Sequence, residues 1–424
     1  MLYMTKNLAF FLAIAALTAH NCFSQDIPRV RYYLDTLCSP SMYGRGANFD
    51  GAKTAANFIK TEFQKSGLKA IRDNYFQTFQ YDVNCFEGRI SLQADKKKLV
   101  TGKDYIANCI SKGGHGNVKA LYLDTMVFYN DNALKSFLSA KTKNKAVIYD
   151  VKFYNKLIEK SEILDKIHEG KCIIELHDKK LTASLSQKQF SNPFFQVAKS
   201  AFPDSVKKVK FQLDATLKKN YSSQNVIGFV EGTSKSDSVI IISAHYDHLG
   251  TMGKKVYFPG ANDNASGVSM LLELVKYYSQ KENTPKFTIV FMAFGAEEIG
   301  LIGSRFFTEN PLFPLNKIKF MINLDLLGTG DDGMTVVNAT LHPEEYNKLM
   351  EINETLKLLP AIKRRGPAAN SDHFFFSEKG VPAFFFYTLG GISAYHDVMD
   401  RPETLPLTRF KEVFSLITNF VKKI

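Results

Sequence analysis

Four apolar runs in this sequence each end on side chains able to hold a metal or move a proton. Val239-Ile240-Ile241-Ile242 leads to His245-Tyr246-Asp247-His248, and Phe287 to Phe294 leads to Glu297-Glu298. Phe320-Met321-Ile322-Asn323-Leu324 leads to Asp325, and Pro382 to Tyr387 leads through Gly390-Gly391 to Tyr395-His396. A further segment, Gly260-Ala261-Asn262-Asp263-Asn264-Ala265-Ser266-Gly267, places Asp263 just before a helical pattern. Taken singly, an aspartate at a strand end more often caps a turn, and a lone histidine is more often structural. Taken together, His245, Asp263, Glu298, Asp325 and His396 form a mixed nitrogen and oxygen donor set. Such a set suits zinc, with manganese or cobalt as alternatives.

Two metal ions about 3.5–4 Å apart need a carboxylate that reaches both. Asp263 stands between two ligand pairs and is the natural bridge: His245 with Asp325 completes one site, Glu298 with His396 the other. Glu297 and Glu298 are adjacent and point in different directions, so they divide the work. Glu298 ligates, and Glu297 faces the open position as general base, where zinc makes water acidic enough to lose a proton near pH 7. Asp247, two residues beyond His245, is placed to orient the imidazole from behind.

These residues need elements that bring them together. Continuously apolar strands separated by helical patterns imply a sheet buried on both faces. In such sheets ligands gather beyond the carboxyl ends of the strands, where all five segments are expected. Helical periodicity covers Thr54–Lys65, Ser266–Tyr278, Glu344–Leu358 and Thr408–Val421. The fold class is therefore α/β, a mixed, mostly parallel central sheet flanked by helices. Residues 25–80 are read as its N-terminal part and 221–424 as its catalytic body. Residues 81–220 are Lys-rich, with short β-rich runs such as Ala146-Val147-Ile148-Tyr149, and are read as a smaller inserted α+β domain. His115, His168 and His177 lie in that stretch without partners at ligand spacing and are read as ordinary surface or core histidines.

The chain is 45 % hydrophobic, which excludes a disordered protein. Lys6 precedes an apolar stretch from Leu8 to Ala19, then Cys22-Phe23-Ser24. That order is a secretory signal over residues 1–24, cleaved after Ser24, and it is shorter than the roughly 20 apolar residues of a membrane span. A lipid anchor at Cys22 is the alternative, disfavoured by His20 and Asn21 where small residues belong. The net charge of +12 comes from scattered lysines and arginines with no nucleic-acid motif, so it reads as a solvated basic surface. Cys38, Cys85, Cys109 and Cys172 show no paired spacing, so neither a zinc cluster nor a particular disulfide is implied.

The motifs Ser-Ala-His-Tyr-Asp-His from Ser243, Gly-Ala-Asn-Asp-Asn-Ala-Ser-Gly from Gly260 and Phe-Gly-Ala-Glu-Glu-Ile-Gly-Leu-Ile-Gly-Ser from Phe294 resemble the M28 zinc aminopeptidases. Asn-Leu-Asp from Asn323 and Tyr-His-Asp from Tyr395 do so too, in the family's order. The resemblance spans about residues 221–424 and implies two zinc ions held as above, Asp247 behind His245, and Glu297 as base. It further implies that Tyr395 stabilises the tetrahedral intermediate, that a cis peptide follows Asp263, and that Ser371-Asp372-His373 lies close behind the site. Residues 81–220 loosely resemble the protease-associated insert of some relatives. The expected substrates are peptides with free N-termini. Alternatives on a similar fold are a glutaminyl cyclase, disfavoured by the absence of tryptophan, and a carboxypeptidase or dipeptidase. A non-catalytic binding protein is disfavoured because no ligand or base is missing.

Overall fold

The computed structural model describes residues 26–72 and 74–424. The signal segment expected over 1–24, Cys22 included, lies outside them. The four apolar runs form the middle of a nine-stranded mixed sheet. Thr288–Phe294, Val239–His245, Ile318–Leu324 and Ala383–Thr388 lie side by side in that order, all parallel. Thr216–Val230 closes one flank and Met334–Val337 the other, both antiparallel to their neighbours in this group. Ile362–Arg364 extends the second flank.

Alternation along each strand divides its apolar side chains between two cores. Ile240, Ile242, Ile289, Phe291 and Ala293 enter one, and Ile241, Val290, Met292 and Phe294 the other. Burying each large aliphatic or aromatic side chain contributes about 1.5–3 kcal/mol, so these strands carry no polar face. Helices Gly51–Lys65, Gly267–Tyr278, Pro343–Leu356 and Phe410–Lys423 cover the first core, close to their expected positions. The short helices Ile302–Glu309 and His373–Glu378 cover the second through Phe307 and Phe376. A further helix, Ile27–Leu37, starts at a cap from Asp26 with Pro28 in its first turn. Its buried face is Val30, Tyr33, Leu34 and Leu37, and Arg29 grips Glu273 through Nε (2.6 Å) and Nη2 (2.8 Å).

Phe76–Cys85 and Thr216–Val230 form a long antiparallel ribbon that leads out of this sheet and back. Positions 81 and 220 both fall within it, because the ribbon pairs as one unit. Beyond it lies an eight-stranded sheet whose paired strands run from Ile90–Ala94 to Lys208–Leu213 in the chain. Its centre, Gly114–Tyr122, Lys145–Asp150, Cys172–His177 and Phe194–Ala198, is parallel. Helices Asp131–Ser139, Tyr154–Glu159 and Ser161–His168 cover one face. The other face packs on the first unit, where Leu249, Met252 and Phe258 join a core with Phe86, Leu92 and Phe211. The two sheets thus share apolar surface. Cys38, Cys85, Cys109 and Cys172 are free thiols. Among the described residues no helix is long and apolar enough to cross a membrane.

Candidate metal centre

The parallel strands deliver their terminal residues to one cavity of about 300 Å³, lined by His245, Asp263, Glu297, Glu298, Asp325, Tyr395 and His396, among others. Asp263 lies between the two imidazoles. Its Oδ1 is 3.4 Å from His245 Nε2 and its Oδ2 is 3.0 Å from His396 Nε2. His245 Nε2 also lies 3.4 Å from Asp325 Oδ1, and His396 Nε2 lies 3.0 Å from Glu298 Oε2. Donor atoms about 2.0–2.1 Å from one tetrahedral zinc ion stand about 3.3–3.4 Å apart, so these separations are those of ligands ready to share an ion. Asp325 Oδ1 is buried without a hydrogen bond. Among the described residues no lysine or arginine pairs with Asp263, Glu298 or Asp325, whose only ion-pair partners are histidines. An under-neutralised buried carboxylate cluster fits a divalent cation.

The loops are held by hydrogen bonds that the motif residues themselves supply. Asn264 Oδ1 accepts from Gly267 N at 2.9 Å and Leu326 N at 3.3 Å, while its amide donates to Leu324 O at 2.9 Å. Asn262 Oδ1 accepts from Gly328 N and Ser266 Oγ from Leu327 N, each at 2.8 Å. The Asp263 loop is thereby stitched to the Asp325 loop. Gly267 is required there, since a Cβ would come within 2.2 Å of Asn264 Oδ1. The Asp263–Asn264 peptide is cis. Behind Asp325, its Oδ2 accepts from Ser371 Oγ at 2.9 Å, which accepts in turn from Asn323 at 2.8 Å.

Asp247 stands behind His245 and also reaches a neighbouring loop. Its carboxylate stands 3.8 Å from His245 Nδ1, which lies nearer the Asp247 main-chain oxygen at 3.3 Å. The carboxylate also accepts from Glu297 N at 3.0 Å and Glu298 N at 3.2 Å. Asp247 therefore fixes the loop that carries both glutamates.

Three contributors were not singled out from sequence. Arg45 is fully buried and has no carboxylate partner among the described residues. It donates to main-chain oxygens of Tyr246 (2.8 Å), Leu37 (3.0 Å), Pro259 (2.6 Å), Gly260 (2.8 Å) and Asp263 (3.3 Å). Asp400 accepts from Asn262 N at 2.8 Å and Asp263 N at 3.0 Å. His248, three residues after His245, places Nδ1 2.5 Å from Glu298 Oε1 and groups with Asp263 and Glu298 as potential ligands. His396 faces both Asp263 and Glu298 through one nitrogen, so it is the better-placed donor, and His248 occupies Glu298's other oxygen. Arg45 and Asp400 belong to no spacing pattern and are distant in sequence from what they hold.

His396 has a left-handed backbone (φ 51°), uncommon for a residue with a side chain. The second sheet's unit holds it there: Ala183 N donates to His396 O at 2.9 Å, and Ala183 O lies 3.1 Å from His396 Nδ1. Lys180 donates to Ser393 O at 2.9 Å and Tyr395 O at 3.1 Å and pairs with Asp397 at 2.7 Å. The Tyr395 ring stacks on His396 with centroids 4.0 Å apart.

Burial disfavours the charged form of every group here, and the neighbours decide which prevails. Burial lowers the His396 imidazole, but Glu298 and Asp263 outweigh it and lift it to about 11. Burial raises Glu298, yet His248 and His396 hold it at about 2 despite the nearby Asp263 charge. Burial pushes Glu297 well up, and the charges of Glu298, Asp372 and Asp325 add to this against the pull of His245. Its carboxylate is within 4.8 Å of donor atoms of His245 and Asp325. Glu297 is thus the carboxylate in the cavity most disposed to take up a proton. Of the aromatic runs, Phe376, Phe384 and Phe386 are core, and Phe385 lines the cavity.

An α/β sheet thus gathers carboxylates and imidazoles in one cavity at its strand ends. Residues 225–421 match Peptidase family M28. The chain contains an M28 peptidase domain, homologous to aminopeptidase YwaD of Bacillus subtilis. That relative is 29 % identical over 225 residues, which are 49 % of this chain and 47 % of YwaD. A probable zinc metalloprotease of Pyricularia oryzae is 36 % identical over 113 residues, 26 % of this chain and 22 % of that protein. The chain thus matches about half the length of the first of these relatives and less of the second. Among solved structures, a zinc aminopeptidase from Bacillus subtilis superposes with a TM-score of 0.69 at 20 % identity, covering 93 % of this chain and 94 % of its own. An aminopeptidase from Aneurinibacillus sp. strain AM-1 gives 0.64 at 19 % identity, covering 95 % and 94 %. At that identity the structural likeness establishes the fold.

Proposed function

We propose that this chain is a zinc-dependent exopeptidase that removes N-terminal residues from peptides, with two zinc ions per chain. The observation that carries the reading is Asp263, with one carboxylate oxygen facing each imidazole inside one cavity. His245 and Asp325 would hold one ion, Glu298 and His396 the other, and Asp263 both. Bound zinc supplies Lewis-acid polarisation of the peptide carbonyl and makes water a stronger acid. Glu297 accepts the proton of the attacking water and returns it to the leaving amine. The backbone that aims Glu297 is fixed by Asp247. Tyr395 donates its hydroxyl to the oxygen that gains charge; burial raises its phenol and so keeps the donor protonated. Residues 81–220 act as a wall that sets His396 through Ala183 and Lys180, which limits the site to chain ends. Export directed by residues 1–24 belongs to the same reading and rests on the order of Lys6, the apolar run and Ser24.

The test is a pool of free-amino, N-acetylated, C-amidated and Gln-initiated peptides incubated with the zinc-loaded protein and read by mass spectrometry. Stepwise loss from free N-termini is expected, with metal analysis giving two zinc ions per chain. Glu297→Gln is expected to abolish the activity and retain the fold. Loss of ammonia from Gln-initiated peptides, or trimming from C-termini, would overturn the assignment.

A further inference from the structure

The same cavity holds one cation that the chemistry above does not use. Arg365 lines it together with Leu326, Asn370, Phe385 and Tyr387. Its main chain is anchored, with N donating to Val336 O at 3.0 Å beside the strand Ile362–Arg364. Its guanidinium donates from Nη1 to the Tyr387 hydroxyl at 3.1 Å. Among the described residues no carboxylate pairs with it, although the cavity is otherwise rich in carboxylates. A phenol does not neutralise a guanidinium, and four of its five N–H groups are left for another acceptor. The neighbouring Arg364 is turned away, donating to Ala339 O at 3.3 Å and lying over the Tyr346 ring.

From this geometry we infer that Arg365, braced by Tyr387, is a specificity residue that binds a substrate carboxylate close to the scissile bond. The inference rests on the exopeptidase reading and deepens it. A guanidinium fork matches a carboxylate with two parallel hydrogen bonds, and Arg365 presents that fork from the exposed side of the cavity. A cavity of about 300 Å³ holds a short stretch of peptide, so the carboxylate must lie near the cleaved bond. Two sources share this chemistry: an acidic side chain on the N-terminal residue, and the terminal carboxylate of a dipeptide.

The experiment compares matched acid and amide substrates with the zinc-loaded protein. Glu- against Gln-p-nitroanilide reads the side-chain source, and Leu-Gly against Leu-Gly-amide reads the terminal source. The preference for the acid, as a ratio of kcat/KM, is expected to fall about 2- to 5-fold in Arg365→Gln, the range of a solvent-screened ion pair. Arg365→Lys is expected to recover part of it, because the charge remains without the fork. The pair that responds names the source. Calorimetric binding of N-acetylglutamate against N-acetylglutamine, in both proteins, reads the side-chain source without turnover, and glycylglycine against glycylglycinamide reads the terminal source. A preference in binding that Arg365→Gln removes supports the site even if no peptide is cleaved, in which case the exopeptidase reading fails by itself. An acid-to-amide ratio that is unchanged by Arg365→Gln in both kinetics and binding overturns the proposal.

Discussion

Replacing Asp247 by asparagine removes the clamp on the two glutamates while changing almost no volume. In the native arrangement one carboxylate oxygen accepts from Glu297 N at 3.0 Å and the other from Glu298 N at 3.2 Å, and the side chain is buried. Asparagine keeps one acceptor and turns an NH₂ towards a main-chain N–H. One charge-assisted bond is lost, about 1.5–3 kcal/mol, and the other weakens to a neutral bond of about 0.5–1.5 kcal/mol. The expected loss is about 2–4 kcal/mol, shared between folding and the shape of the metal loop. Supporting groups of this kind change metal affinity about 10- to 100-fold. The assay is urea unfolding of the metal-free protein together with zinc competition against a chromophoric chelator. A variant within about 0.5 kcal/mol of wild type in stability and with unchanged zinc affinity would refute the claim that this carboxylate sets the loop.

Arg45→Met should be among the costliest single changes, on the order of 3–5 kcal/mol, because five main-chain oxygens lose a buried charged donor; thermal unfolding checks it. Lys180→Met should cost no more than about 1 kcal/mol in stability, since its side chain is 45 % exposed. It should lower kcat several-fold by loosening the Tyr395–His396 loop, and equal kcat in the two proteins would count against the strap. Burial alone would raise Glu175, but hydrogen bonds from His177, Tyr149 and Gln196 outweigh it and hold its carboxyl below the ordinary glutamate value. A depressed carboxyl stabilises the fold above its unfolded pKa of about 4.3, and that contribution is lost as pH falls through the lower folded value. Glu175→Gln should therefore flatten the acid limb of stability between wild-type measurements at pH 6 and pH 3, as read by urea titration.

What the sequence determined by itself was the periodic part of the molecule, and it named residues that meet in the candidate site. Strands such as Val239–His245 and Thr288–Phe294 announce themselves because both faces are buried, so their apolar runs are unbroken. The site members other than Asp263 announce themselves because each follows such a run, where a parallel sheet must collect them. The helix Ile27–Leu37 was legible in principle, with Val30, Tyr33, Leu34 and Leu37 at helical spacing and Pro28 at its start, but a single short amphipathic turn pattern carries little signal. Only the tertiary structure decided the supports. Arg45 reaches Asp263 O across 218 positions and Ala183 reaches His396 across 213. Asp247 gains two amide partners besides the imidazole because the Glu297–Glu298 loop folds over it. Arg365 joins the cavity lining only once the strand before it, Ile362–Arg364, is laid beside Met334–Val337. Periodicity is a local property that a sequence carries along its length. The pairing of a buried donor with a distant acceptor is set by which loops meet, and no spacing in the chain encodes it.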